Sequence, residues 1–362
     1  MAKIAEILLR RLSLPLIVPY KVSRREFHHF DPIMVEMRDA DGRFGWGEAD
    51  IQPGYSNETP ESGWHYCQDM AERLVGHETH EVEPLLGPTI LANSHAASVL
   101  VAAAEMIQGH PALNLSRETI VPLLTPLNAH EAGPIADEVA AKLAAGFRTF
   151  KVKVGFDVND DLTRVAAVQD AVAGRATLRL DANQAFSVDE GKAFAAALDP
   201  RGIELFEQPC DKADWAANGA VAKVSAVPIM LDESIYGLED IRRAATMPGV
   251  AFVKLKLKKL GGLDRLIEAM KLIQELGMGA VLGDGTSSDI ACWMEACVGR
   301  LLMTGAGEMN GFLKLRQHLF APPLPFVDGV IRLGAGFVPT IDRIALARAT
   351  IIEERHAAAA VF

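Results

Sequence analysis

Thr177-Leu178-Arg179-Leu180-Asp181-Ala182-Asn183, Ile203-Glu204-Leu205-Phe206-Glu207-Gln208-Pro209 and Pro228-Ile229-Met230-Leu231-Asp232-Glu233-Ser234 share one plan: a short apolar run that ends on a carboxylate. Asp181 and Glu207 lie 26 residues apart, and Glu207 and Asp232 lie 25 apart, about one strand–helix unit each. Carboxylates at the C-terminal ends of successive parallel strands converge on one point above a barrel. Two lysine pairs bracket the series. Lys151-Val152-Lys153 follows Thr149-Phe150, and Lys254-Leu255-Lys256 follows Val250-Ala251-Phe252-Val253, ahead of Gly261-Gly262.

The strand–helix rhythm extends outward from these runs. Val121-Pro122-Leu123-Leu124 opens it, and helical periods follow at 131–145, 161–173, 189–198, 213–225, 238–245, 263–276 and 290–302. Seven or eight such units in roughly 200 residues match a (β/α)₈ barrel. The first third reads differently. Ile33-Met34-Val35-Glu36-Met37-Arg38 alternates with period two, turns at Asp39-Ala40-Asp41-Gly42 and returns through Phe44-Gly45-Trp46-Gly47-Glu48, as an antiparallel meander does. The expected fold class is α/β: a modified TIM (β/α) barrel over 119–320 carrying the metal site, and an N-terminal α+β capping domain over 1–118. Residues 321–362, after Pro322-Pro323-Leu324-Pro325, are expected to return to the capping domain.

The 362 residues are 49% hydrophobic and 23% charged, the composition of a globular protein with a large core. A formal net charge of −11 argues against nucleic acid or an anionic membrane as partner. No run of about 18 apolar residues is present, so no membrane helix is expected. Met1-Ala2-Lys3-Ile4-Ala5-Glu6 carries charge too early for a signal peptide. Cys67, Cys210, Cys292 and Cys297 form no CxxC pair, which together with that start points to reduced thiols and the cytoplasm.

Asp181, Glu207 and Asp232 offer oxygen-only donors with three negative charges, suited to a hard divalent cation such as Mg²⁺. Asn183 and Gln208 can hydrogen-bond around such an ion as an outer shell. Glu233, on the opposite side of the pleat from Asp232, is expected to be an ion-pair partner. Lys151 and Lys153, like Lys254 and Lys256, are two apart and face the barrel interior together. A neighbouring ammonium and a metal ion are expected to lower a lysine pKa from about 10.4 toward neutrality, as a base requires. Lys258 and Lys259 are expected to be solvated. Two lysine bases flanking a metal imply removal of the proton α to a carboxylate, with the enediolate stabilised by the cation and its neighbours.

These features resemble the enolase superfamily, and within it the muconate-lactonizing-enzyme subgroup. The resemblance rests on Lys151-x-Lys153, Asp181-Ala-Asn, Glu207-Gln-Pro, Asp232-Glu-Ser and Lys256-x-x-Lys259-x-Gly261-Gly262, with Gly45-Trp46-Gly47-Glu48-Ala49 resembling the family's capping domain. A Lys or His base working with Mg²⁺ is a known property of that superfamily. The resemblance implies Mg²⁺ or Mn²⁺, Lys153 and Lys256 as the acid/base pair, Lys151 against the substrate carboxylate or intermediate, and a homo-oligomer. A histidine–aspartate base is not supported.

The expected activity is racemisation or epimerisation of an amino acid or its N-substituted derivative, a small-molecule carboxylate. Cycloisomerisation of an unsaturated diacid and syn-dehydration remain open, since they need one lysine only. A non-catalytic barrel is the alternative outside enzymology. Where the subgroup commonly has a glutamate past the seventh strand, this chain has Gly283-Asp284-Gly285-Thr286-Ser287-Ser288-Asp289. Asp284, and less directly Asp289, could bind a substrate cation or cap the following helix. Glu308 is another candidate contact, and both acids tilt the choice toward a substrate with a positive nitrogen. Segments 17–30 and 52–60 should select the substrate, with His28, His29, Phe30, Tyr55 and Ser56 as candidates. Trp293 and Met294 are expected in the core.

Overall fold

The computed structural model describes residues 3–22 and 25–358. Met1-Ala2, Ser23 and Arg24 of the 17–30 segment, and Ala359-Ala360 of the alanine-rich tail lie outside the described residues. The first strands are β1 (Ile4–Leu12), β2 (Leu14–Val22), β3 (Arg25–Phe30), β4 (Ile33–Asp39) and β5 (Phe44–Ala49). The β4–β5 turn closes because the Asp39 carboxylate accepts from the backbone N–H groups of Asp41 (3.0 Å) and Arg43 (2.9 Å), and Gly42 takes φ +82°. The helix Ser94–Ile107 packs on β5 so closely that a Cβ at Gly45 would lie 1.9 Å from the Ala103 carbonyl oxygen, and one at Gly47 1.9 Å from that of Val99. The glycines of the Gly45-Trp46-Gly47 run therefore serve helix–sheet contact.

Two short strands follow, β6 (Thr119–Pro122) and β7 (Thr125–Leu127). Then come the barrel strands β8 (Thr149–Lys153), β9 (Thr177–Asp181), β10 (Ile203–Glu207), β11 (Ile229–Leu231), β12 (Val250–Leu255) and β13 (Gly279–Leu282). β7 to β13 form one sheet in sequence order with every neighbouring pair parallel. Each apolar run of the sequence becomes a strand buried on both faces, as the barrel interior and the helix ring demand. The ring closes without an eighth regular strand. Thr304 N–H donates to Ala280 O (2.7 Å), Glu308 N–H to Leu282 O (2.9 Å), and Leu124 N–H to Gly307 O (2.9 Å), so residues 304–308 bridge β13 to the segment before β7. The molecule is a modified (β/α) barrel.

β14 (Phe326–Val327) pairs with β15 (Val330–Leu333), which pairs with β6, and β16 (Thr350–Ala357) pairs antiparallel with β1 in a sheet of order β16-β1-β4-β5. The last segment thus completes the N-terminal sheet. Buried glutamates weld cap to barrel. Glu48 accepts from Ser288 N–H (2.7 Å), Ser288 Oγ–H (2.5 Å) and Ala291 N–H (3.2 Å) at the start of the helix Asp289–Leu302. Glu105 accepts from Leu263 N–H (2.7 Å) and Asp264 N–H (2.9 Å) at the start of Leu263–Glu275. Both satisfy donors that a helix N-terminus otherwise leaves unpaired.

Segment 17–30, expected to select the substrate, is mostly an antiparallel hairpin of β2 and β3 in which Tyr20 is registered with Phe27. Its base docks on the barrel through Arg316, whose N–H donates to Pro15 O (2.9 Å) and whose Nε–H donates to Leu16 O (2.7 Å). Among the described residues, no helix is long and apolar enough to cross a membrane.

Candidate active site

β9 and β10 set Asp181 directly beside Glu207, and Asp232 follows the end of β11. All three carboxylates are buried, at 0%, 1% and 1% exposure, where unpaired charge is untenable. Lysines from the flanking strands answer them. Lys151 Nζ lies 2.9 Å from both Asp181 Oδ2 and Glu207 Oε2. Lys254 Nζ lies 3.0 Å from Glu207 Oε1 and 3.6 Å from Asp232 Oδ2. Lys153 Nζ donates to Asp181 Oδ2 at 2.5 Å, and Lys256 Nζ donates to Asp232 Oδ2 at 2.9 Å. In sheet order β8 and β12 enclose β9, β10 and β11, so Lys153 and Lys256 flank the carboxylate row from opposite sides.

Burial alone would raise the Asp232 pKa, yet Lys256, Lys259 and Lys254 hold it well below the usual range. Against burial too, Lys151, Lys153 and Lys254 bring Asp181 down to about 2. The same attraction acts in reverse on the cations. Burial disfavours charge on Lys151, Lys254 and Lys256, but the acids around each outweigh it and hold all three above the usual lysine range. The Lys151 ammonium does act on Lys254 in the expected downward direction, but Glu207 and Glu308 outweigh it.

Lys258 and Lys259 are not solvated. Past β12 the chain turns into one helical turn, Leu257–Leu260, which swings the two side chains into the interior. Lys259 Nζ donates to Asp232 Oδ1 (2.9 Å) and to the Asp232 carbonyl (2.5 Å), with the Tyr236 ring 4.8 Å away. Lys258 Nζ pairs with Asp284 Oδ2 at 2.5 Å and donates to Asp50 O at 2.8 Å. Asp284 is thus neutralised, and it is not the helix cap either; the Ser288 hydroxyl accepts from Ile290 N–H there (3.4 Å). Asp289 accepts from His318 Nδ1 and Leu319 N–H, both 2.9 Å away.

Glu308 lies across the barrel floor, 2.8 Å from Lys151 Nζ and paired also with Lys254. Asp284 and Glu308 are thus both matched by lysines, and neither presents an unpaired negative charge to the cavity. Glu233, expected in an ion pair, accepts instead from Asn183 Nδ2 at 3.0 Å, and burial, with Asp232 and Asp181 adding to it, pushes its pKa up to about 7. Gln208 spends its amide on the next strand end. Its Oε1 accepts from Asp232 N–H (3.0 Å) and Ser234 N–H (3.2 Å), which braces the backbone that carries Asp232. Asn183 and Gln208 hold positive φ, +42° and +37°, the left-handed region that strains most side chains.

The cavity above this floor has a volume of about 50 Å³. Tyr55 lines it, its ring centroid 5.5 Å from Lys256 Nζ. Tyr20 and Phe27 from segment 17–30 and Gln52 from segment 52–60, not singled out within them, also line it, as do His95 and Tyr236, which sequence reasoning missed. Period-two alternation in 17–30 could have flagged the hairpin pair Tyr20 and Phe27, but nothing local marks His95, which opens an alanine-rich helix. His28 and His29 project outward with 70% and 53% of their side chains exposed, Phe30 is core, and Ser56 lies by the His95 ring. Trp293 and Met294 are core as expected.

The donor set fits a hard divalent cation: three buried carboxylates on adjacent strands, already bridged pairwise by ammonium groups. Elsewhere, Glu105, His110 and Asp264 bring ligand atoms within 4.8 Å of one another. Its donors are spent. Glu105 caps a helix with both oxygens, and His110 Nδ1 accepts from Ala112 N–H (3.1 Å), which leaves Nε2 as the protonated nitrogen facing Asp264.

Residues 134–341 match the family model described as Enolase C-terminal domain-like. The L-Ala-D/L-Glu epimerase of Bacillus subtilis is 27% identical over 295 residues, covering 78% of this chain and 80% of the relative. The L-Lys-D/L-Arg epimerase of Methylococcus capsulatus is 28% identical over 356 residues, 91% of this chain and 96% of the relative. The crystal structure of a muconate lactonizing enzyme from Pseudomonas fluorescens, complexed with muconolactone, superposes with a TM-score of 0.87 at 26% identity, over 96% of this chain and 99% of that one.

Proposed function

This chain belongs to the enolase superfamily, among the muconate lactonizing enzymes and their epimerase and racemase relatives, and on that premise we propose that it inverts the α-carbon of a dipeptide or N-acyl amino acid. Enzymes of the superfamily use a divalent metal. Here Asp181, Glu207 and Asp232 would hold Mg²⁺ or Mn²⁺, which when bound supplies the positive charge that stabilises the enediolate.

The observation that carries the proposal is the placement of Lys153 and Lys256 at the ends of the two strands that enclose the carboxylate row, Lys153 as the last residue of β8 and Lys256 just past β12. A substrate carboxylate drawn toward the floor by Lys151 leaves its α-carbon between the two lysine nitrogens, one a free amine and the other an ammonium. For one enantiomer Lys153, as the free amine, takes the α-proton and Lys256 returns one from the opposite face; for the other enantiomer the roles exchange. Each lysine is held in place by its own carboxylate, so little reorganisation is needed at the reacting centre. Tyr20, Phe27 and Tyr55 cover the cavity and limit water.

The B. subtilis and M. capsulatus relatives, named for dipeptide-type substrates, support that class of substrate here. Similarity to the muconate lactonizing enzyme supports a second reading, a cycloisomerase that uses one lysine. The buried free thiols of Cys67, Cys210, Cys292 and Cys297 suit a reducing cytoplasm. The test is α-proton exchange in D₂O, read by NMR on dipeptides and N-succinyl amino acids of both configurations. Exchange with inversion supports the epimerase. Lactone formation from cis,cis-muconate, with no exchange on any amino-acid derivative, selects the second reading.

A further inference from the structure

Lys153 and Lys256 are held in different ways, and the difference assigns a role to Glu233. Lys256 directs its hydrogen bonds at one carboxylate, Asp232, with Oδ1 at 3.2 Å and Oδ2 at 2.9 Å. Lys153 divides its bonds between two groups. Nζ donates to Asp181 Oδ2 at 2.5 Å and to the side-chain carbonyl of Asn183 at 2.5 Å. The other end of that amide, Asn183 Nδ2, donates to Glu233 Oε1 at 3.0 Å. Glu233 is 1% exposed, and its Oε2 is buried with no hydrogen-bond partner.

The chain Glu233–Asn183–Lys153 has one electrostatically acceptable sense. A carboxylate at one end requires the amide N–H₂ to face it, which turns the amide oxygen toward the lysine. Reversed, the amide would set N–H₂ against an ammonium and its oxygen against an anion. The left-handed backbone of Asn183, φ +42°, brings the short side chain to this position, and its N–H donates to Asp181 Oδ1 at 2.8 Å, tying it to the same carboxylate. A tetrahedral nitrogen with two directions taken by fixed acceptors has its remaining direction defined, and that direction is where the proton passes to or from a substrate.

We propose that Glu233 is a positioning residue for one face of the reaction: through the Asn183 amide it aims the Lys153 nitrogen at the α-carbon, while Lys256 is aimed independently by Asp232. The inference deepens the two-lysine reading above and rests on it. It is distinct from any contribution of Glu233 to folding or to the neighbouring carboxylates, because those would act on both lysines.

The test uses the full chain with Mg²⁺ and the best-exchanged compound of the dipeptide and N-succinyl amino acid panel. Initial rates of α-proton exchange are measured separately for each enantiomer in wild type, Glu233→Ala, Glu233→Gln, Asn183→Ala and Lys153→Ala. Lys153→Ala identifies the enantiomer that Lys153 serves. Glu233→Ala and Asn183→Ala are expected to slow that enantiomer by about 10²-fold, the scale of an ångström-sized misplacement, and to leave the other within about threefold. Glu233→Gln, which keeps an acceptor oxygen, is expected to recover much of the loss. The unaffected enantiomer reports in the same sample that the variant is folded and metal-loaded. Equal losses on both enantiomers, or no loss on either, overturn the proposal. Wild type that exchanges neither enantiomer of any panel compound overturns the two-lysine reading, and this inference with it.

Discussion

Lys258 and Asp284 close an ion pair at 2.5 Å on the wall of the reaction cavity, with 7% and 5% of their side chains exposed. The pair uses up the acid that the sequence offered for a substrate cation, and it fixes the loop after β13 to the helical turn after β12. Asp284→Asn leaves the Lys258 ammonium buried without its counter-charge, a change that costs about 3–5 kcal/mol in comparable sites. Urea denaturation should show a loss of that order, and Asp284→Asn combined with Lys258→Met should recover part of it. A single variant within about 0.5 kcal/mol of wild type would mean that the pair holds nothing.

Stability should fall as pH rises toward 8, and Glu48 supplies part of the slope. Burial raises its carboxyl, against the bonds from Ser288 and Ala291, from 4.5 to about 7. Between those values the folded protein binds a proton that the unfolded chain has released. Stability is therefore higher at the acidic end of the window and declines as pH passes through the folded pKa, by about 3 kcal/mol at most for this group. Glu48→Gln should flatten the profile between pH 5 and 8, measured as urea-unfolding free energy against pH. Glu105, raised to about 7 chiefly by burial, should leave a residual slope. An unchanged slope in Glu48→Gln would show that Glu48 does not titrate there.

Divalent metal should stabilise the fold and be required for exchange. At a hundredfold excess over its dissociation constant, a ligand that binds only the folded state adds about 2.7 kcal/mol. A rise in melting temperature with Mg²⁺ or Mn²⁺ is expected for wild type and should be lost or much reduced in Glu207→Gln. Chelation should abolish exchange, and added metal should restore it. Full exchange after verified metal removal would contradict the assignment of Asp181, Glu207 and Asp232.

The carboxylate row and the two lysine pairs were legible in the sequence because strand-end spacing and period two are local signals. Asp181, Glu207, Asp232, Lys151, Lys153, Lys254 and Lys256 meet in space as that spacing requires. The fate of Lys258 and Lys259 was not legible. Four residues of helix after β12 turn an exposed-looking basic run inward, and such a turn carries no periodicity to read. The closing segment 304–308 escaped for a related reason: it joins the barrel by a few backbone bonds rather than as an apolar strand. Tyr20, Phe27 and His95 reach the cavity from the capping domain, and only the docking of that domain on the barrel, through Glu48 and Glu105, decides what they face.

The most direct test of two opposed lysines is enantiomer-resolved exchange in Lys153→Ala and Lys256→Ala. Each variant should lose α-proton exchange from one enantiomer, a different one in each case, by about 10²–10⁴-fold or more. Each should retain exchange from the other, and neither should racemise. Both variants exchanging both enantiomers at wild-type rates would contradict the mechanism outright, and loss confined to one lysine in both directions would contradict it in favour of a one-base cycloisomerase or dehydratase.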